Sequence, residues 1–172
     1  MQSKKIEIVV AISITAIIVS SVWLSFYKSP SSEITNFEQK NTALTLSSKE
    51  YAIMGSQMWG AFSCSVWASH INDTNEAERL FLFGYSKGQT FLKALKADKI
   101  EQKDISSEVP IGVTLSLQGP TEEFILGRIH SLSEEEALDE VFKNGNDFNS
   151  EEMQKIIAGN KFRDGNCQLV GK

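Results

Sequence analysis

Cys64 and Cys167 are the only cysteines in this 172-residue chain, and their chemistry depends on the compartment that holds them. In an oxidising compartment an even pair favours a disulfide, with buried free thiols or a metal site as the alternatives. The two cysteines and the two histidines, at 64, 70, 130 and 167, lack the short paired spacings of structural zinc sites. The sequence therefore predicts one disulfide and no metal or other cofactor.

Residues 84–88 read GYSKG and match G-x-S-x-G, the nucleophile elbow of α/β-hydrolases. Ser86 would be the nucleophile there, and His130 follows it in the chain order of that fold. Residues 48–172 are nevertheless too few for a parallel sheet with its crossover helices. A small serine hydrolase using Gly84-Tyr85-Ser86-Lys87-Gly88 is thus the alternative function, with Ser86 and His130 as weak catalytic candidates. The catalytic residues stay unassigned.

Four residues are the binding candidates: Trp59, Trp67, Arg128 and His130. Arg128 would either hold an anion at the rim of a cleft or extend its charged end from an apolar helix face. His130 would either sense acidity or be an ordinary helix residue. Trp59 and Trp67 are eight positions apart, near one helix face, and would form an aromatic contact surface or, as the spacing favours, part of the core.

The charge of the chain argues against a nucleic-acid partner. The formal net charge is −5. Residues 1–28 hold three lysines and one glutamate, so the rest carries 14 basic and 21 acidic residues, a net charge of −7. Such a chain lacks the basic surface that supplies affinity for phosphates.

Residues 8–27 form an uncharged run of twenty, IVVAISITAIIVSSVWLSFY. A helix of that length spans about the 30 Å of a bilayer's hydrocarbon core. Lys4 and Lys5 precede the run, so the positive-inside bias places residues 1–7 in the cytoplasm and everything after the run outside. The run is therefore predicted to be a single-pass signal anchor in the inner or plasma membrane.

A cleaved secretory signal is the competing interpretation, because Ser20 and Ser21 offer small residues for a cleavage site before Val22. A buried core helix is a third. The anchor is favoured because the apolar run continues past that site. Residues 28–47 are polar and predict a flexible tether of roughly 25 Å, which would hold residues 48–172 outside the cytoplasm, in the periplasm if the cell is Gram-negative.

Caps and apolar periodicity predict that residues 48–172 are mainly helical. Ser47 with Glu50 and Asp73 with Glu76 form capping-box patterns, and Ser150 caps the last helix. A third clear helix starts after Pro120, and Ser133 with Glu136 predicts a new or bent helix after that. Apolar residues recur at helical spacing in the first two helices, as at Met58, Phe62, Leu80 and Phe91, and the third helix is expected to carry Phe124, Ile125, Ile129 and Leu132 inward. The two segments after it contain Val141 and Phe142, and Met153, Ile156 and Ile157.

Two further features refine this expectation. Gly84 and Gly88 lie one helical turn apart and predict the closest helix contact of the domain, against Ala61, Ser65 and Ala68. Residues 111–117 alternate like a strand but also follow Pro110, which suits a helix start, and 167–170 is the only other short strand candidate. The fold class is thus mainly α, with an amino-terminal transmembrane helix and at most one short strand pair.

These expectations favour a membrane-anchored binding or interaction module over an enzyme. Its partner would be another envelope protein or a small ligand, held in a cleft between helices, and an immunity- or inhibitor-like role belongs to this class. The hydrolase that uses Ser86 is the alternative from a different class.

Overall fold

Six α-helices and one short strand pair form residues 45–172, which are the residues described by the computed structural model. The predicted anchor at 8–27 and nearly all of the predicted tether lie outside the described residues. Within 45–172, no helix combines the length and the apolar character that crossing a bilayer requires. The prediction of a mainly helical domain with at most one short strand pair is confirmed.

The first two helices begin at the predicted caps. α1 spans Ser48–His70, and the Ser47 hydroxyl accepts from the amide of Glu50 while the Glu50 carboxylate accepts from the amide of Ser47. α2 spans Thr74–Lys96, and the carboxylate of Asp73 accepts from the amide of Glu76. Only three residues separate the helices, so they pack as antiparallel neighbours.

The later elements are shorter and wrap around α1. Their bounds are α3 Gln102–Glu108, α4 Ile111–Leu115, α5 Glu122–Phe142, β1 Lys143–Asn144, β2 Asp147–Phe148, α6 Glu151–Asp164 and a 3₁₀ turn at Cys167–Leu169. Side-chain caps at Thr121 and Ser150 start α5 and α6. β1 and β2 are antiparallel and are joined by a turn in which Gly145 has φ +64°.

Neither segment considered as a strand is one. The alternation in 111–117 belongs to α4, with Pro110 at its N-cap, and 167–170 holds the 3₁₀ turn. The fixed φ of Pro110 favours a helix start at this position, and this preference decides between the two predicted alternatives. The single strand pair is formed instead by Lys143–Asn144 and Asp147–Phe148, on either side of Gly145 and Asn146.

The capping box predicted at Ser133 and Glu136 is absent, because α5 runs without a break from Glu122 to Phe142. Ser133 is fully buried, and its hydroxyl lies 3.0 Å from that of Ser63 on α1. A serine with an interhelical partner has no need to end a helix, so packing against α1 overrides the local pattern.

The helix faces were only partly predicted. Phe124 was expected inside, but it is 51% exposed. On α6 the apolar residues Met153 and Ile156 are 45% and 50% exposed. The buried residues of these helices are Leu126, Ile129, Ser133, Ala137 and Val141 of α5 and Ala158 of α6, so the inward prediction for Ile129 is confirmed. Phe124 lies over Gly119 in the α4–α5 connection.

α1 is the centre of the domain and contacts α2, α3, α5 and α6. The main core around it consists of Ala52, Met58, Phe62, Phe91, Leu92, Ala94, Ile100, Val109, Val113, Leu126 and Ile129. A second, smaller cluster surrounds the cysteines and includes Ala68 and Leu80.

The glycine pair on α2 faces α1, as predicted. A Cβ atom at position 84 would lie 3.1 Å from Ala61 Cβ and 3.0 Å from the Phe62 ring. At position 88 it would lie 2.5 Å from Met58 Sδ and would also overlap Leu126. The two glycines therefore make room for the large side chains of Phe62, Met58 and Leu126. Of the small residues expected to face them, Ala61 is among these neighbours.

Two bonds fix the carboxyl-terminal end of the chain. Cys64 and Cys167 form the predicted disulfide, with a Cα–Cα distance of 5.5 Å. Arg79 binds Glu76 through two hydrogen bonds of 2.7 and 2.6 Å, and its third donor reaches the carbonyl of Val170 at 2.6 Å. The hydrogen bond from Arg79 holds the pKa of Glu76 below its ordinary value of 4.5.

The glycine contact predicts a position-dependent effect of leucine. Gly88→Leu should lower the free energy of unfolding by about 1 to 3 kcal/mol or more, because the buried Met58 and Leu126 occupy the space that it needs. Gly127 is also inside a helix, but a Cβ atom there would have no neighbour within 4 Å. Gly127→Leu should therefore raise stability by up to about 1 kcal/mol. Urea unfolding of the full-length protein in detergent measures both, and equal effects would contradict the contact.

The disulfide should decide whether the domain stays folded. It closes a loop with a sequence separation of 103, for which chain entropy predicts about 4 to 5 kcal/mol. Adding reductant should lower the free energy of unfolding of the wild-type protein by a comparable amount, which appears as a lower urea midpoint. The double variant Cys64→Ala, Cys167→Ala is the control and should not respond to reductant. A wild-type midpoint that reductant leaves unchanged would exclude the bond.

The Glu76–Arg79 pair predicts a pH-dependent contribution to stability. Because its pKa is lower in the folded state, Glu76 stabilises the fold above about pH 4.5, and this contribution is lost as the pH falls through the folded pKa. Glu76→Gln should reduce stability by about 1 kcal/mol at pH 7, and this loss should shrink as the pH falls through the folded pKa of Glu76. The exposed Glu123→Gln should change stability by less than about 0.5 kcal/mol at pH 7. A pH-independent loss in Glu76→Gln would contradict this linkage.

Candidate functional site

α1 and α5 meet along a polar contact that separates two open clefts. The Ser63 and Ser133 hydroxyls are 3.0 Å apart, and Ser133 also donates to the carbonyl of Trp59 at 3.3 Å. One turn further along, the indole nitrogen of Trp67 donates to the carbonyl of Ala137 at 2.9 Å. These bonds hold the two helices together, and a cleft opens on either side of them.

The first cleft, the histidine cleft, has a volume of about 370 Å³ and lies among α1, α2 and α5. Its titratable side chains are His70 from α1, Glu78 from α2, and His130 and Glu134 from α5. Its remaining lining residues are Ser65, Val66, Ser69, Ala77, Phe81 and Leu138. Its ionisable groups are therefore two imidazoles and two carboxylates.

Aromatic rings build one wall of the histidine cleft. The ring centroid of Phe81 lies 5.6 Å from that of Phe62, 5.3 Å from that of His130 and 6.1 Å from that of Tyr85. His130 meets Phe62 and Phe81 nearly at right angles, with interplanar angles of 79° and 78°. Phe81 is 37% exposed, so part of its ring remains open to a ligand.

The second cleft, the tryptophan groove, has a volume of about 410 Å³ and lies among α1, α5 and the end of α6. Trp59 and Trp67 line it and are both half-buried. Gly60 lies between them in the chain, and a Cβ atom there would have no neighbour within 4 Å. The remaining lining residues are Ser63, Cys64, Glu136, Ala137, Glu140, Lys161 and Gly165.

Both tryptophans pack against the protein on one side. Trp59 packs against the main core and against Gly112 of α4, and Trp67 packs against the cysteine cluster. Each ring therefore has one covered side and also lines the groove. Lys161 of α6 pairs with Glu140 of α5 at the groove, so opposite charges stand beside the aromatic surface.

Arg128 lies apart from both clefts. Its side chain is exposed, and it donates to the carbonyl of Gln118 at 2.6 Å, which ties α5 to the loop before it. Asp104, a carboxylate that could have paired with Arg128, accepts instead from the Ser48 hydroxyl. The structure thus separates the four binding candidates: His130 in one cleft, Trp59 and Trp67 in the other, and Arg128 in neither.

Ser86 is an exposed residue in the middle of α2, and Thr90 donates to its carbonyl at 3.1 Å. The nucleophile elbow requires a sharp turn between a strand and a helix, and α2 is continuous through residues 84–88. Ser86 does not line the cleft that holds His130. Nothing in this geometry favours the hydrolase alternative.

The described residues contain no metal-binding arrangement. No group of three or more His, Cys, Asp and Glu side chains in 45–172 is placed to hold an ion. Both cysteines are in the disulfide and are therefore unable to act as ligands.

Sequence reasoning found His130 but missed its neighbours His70, Glu78 and Glu134. Glu134 follows His130 by four positions, and this spacing puts both on one helix face, so the sequence did carry that signal. His70 and Glu78 come from other helices, and no spacing in the sequence indicates that they lie near His130.

Comparison of the chain with protein-family models, with curated proteins and with solved structures finds no match.

Proposed function

We propose that this protein is a membrane-anchored, non-cytoplasmic binding module that holds an envelope protein partner in its tryptophan groove. The uncharged run at 8–27 supports the anchor, and the two lysines before it support an outward-facing domain. The disulfide between Cys64 and Cys167 supports an oxidising compartment.

The open groove between Trp59 and Trp67 is the observation that carries the proposal. Tryptophan is enriched at the energetically dominant positions of protein interfaces. Core packing covers one side of each ring, which fixes the ring without using all of its surface. Gly60 leaves the space between them empty. A partner can therefore gain apolar contact here at little cost in side-chain entropy.

The size and charge of the groove indicate what the partner inserts. A volume of about 410 Å³ accepts one or two side chains rather than a whole element. Glu136 and Glu140 outnumber Lys161 along the groove, so the local charge is negative. The partner therefore presents an apolar anchor residue beside a basic one.

Gly60→Arg tests the groove without removing a core contact. The arginine side chain would extend from an open helix position into the groove and block it, while the tryptophans keep their packing. Gly127→Arg is the matched control, since position 127 is equally open and lines neither cleft. Full-length proteins carrying a photo-crosslinker at Glu136, an exposed residue that lines the groove, would be expressed in the native host, and crosslinked species would be recovered from carbonate-washed membranes.

The wild-type protein and Gly127→Arg should give the same crosslinked partner, and Gly60→Arg should lose it. Equal crosslinking by all three proteins would show that the groove is not the binding surface. Recovery of the protein only in the carbonate-soluble fraction would contradict the anchor instead.

A further inference from the structure

Both histidines of the chain line the same cleft, although they are sixty positions apart. His70 ends α1 and His130 lies in α5, and Glu78 of α2 and Glu134 of α5 join them. Three helices thus bring every imidazole of the protein and two carboxylates to one concave surface. This surface is on the other side of the α1–α5 contact from the tryptophan groove.

The charge of the histidine cleft favours a cation. With neutral imidazoles the lining residues carry two negative charges and no lysine or arginine. In residues 45–172, neither Glu78 nor Glu134 forms an ion pair with a basic side chain. Their carboxylates are therefore available to a ligand.

The aromatic wall favours an organic cation over a simple ion. Phe81 is partly exposed within a cluster that includes Phe62 and Tyr85, and a ring face attracts a guanidinium or ammonium group. The absence of a metal-binding group in 45–172 agrees with this preference. A guanidinium also suits carboxylates, because its planar donors bind them in pairs.

We propose that the histidine cleft binds a guanidinium group, such as that of an arginine side chain, between Glu78, Glu134 and the ring of Phe81. The site is separate from the tryptophan groove and does not depend on the function proposed above.

The two histidines also provide the measurement. Full-length protein in detergent, labelled with ¹³C at histidine Cε1, gives two signals, and both come from the cleft. The probe is N-acetylarginine amide, and N-acetylcitrulline amide is its neutral analogue of the same shape. At about pH 7.5 both signals should shift saturably with the arginine probe and stay unchanged with the citrulline probe. By calorimetry, the arginine probe should bind and the citrulline probe should not.

Glu134→Gln should weaken binding of the arginine probe by about tenfold. Glu135→Gln removes the same charge one position along α5, outside the cleft, and should leave the affinity within about twofold. Equal losses in the two variants, equal shifts with both probes, or no saturable shift would overturn the proposal. Gly60→Arg should leave this titration unchanged, so a failure of the tryptophan groove and a failure of this cleft give different results.

Discussion

The burial of α1 among four other helices is the constraint on which the rest of the structure depends. A helix enclosed in this way has to provide a partner for each of its polar side chains, because an unpaired buried group is costly. Three serines of α1 do so by bonding to three neighbours: Ser56 to the end of α3, Ser63 to α5 and Ser65 to the carbonyl of Ala77 on α2. No buried side-chain nitrogen or oxygen in 45–172 lacks a partner. The hydroxyls therefore set the positions of the surrounding helices.

The two clefts follow from the same arrangement. Where Ser63 meets Ser133 the helices approach closely, because both side chains are small and bond to each other. Larger side chains on either side of this contact, such as Trp67 and His130, line open clefts instead of joining one continuous core. A polar contact of small residues thus separates an aromatic groove from an ionisable cleft.

Helix starts could be read from the sequence because capping is local, as Ser47, Asp73 and Ser150 show. The disulfide could be predicted because the argument used only the compartment and the number of cysteines. The role of Ser133 could not be predicted, since the same Ser-x-x-Glu pattern is compatible with a helix cap and with a buried contact to another helix. The prediction that Phe124 faces inward was wrong for a related reason. Helical spacing gives the apolar face of a helix but not the part of that face that a neighbouring helix covers.

The clefts lay beyond sequence reasoning because they depend on how helices pack. His130 could be selected by its residue type, but its position beside His70 depends on the α1–α5 contact, which no spacing encodes. The tryptophan groove shows the same dependence most clearly. Cys64 lines it, and a Cβ atom at Gly165 would lie 3.4 Å from both Cys167 Sγ and the Trp67 ring. The disulfide therefore holds the carboxyl-terminal end of α6 against the groove, and an oxidising compartment is a condition for the groove to keep this shape.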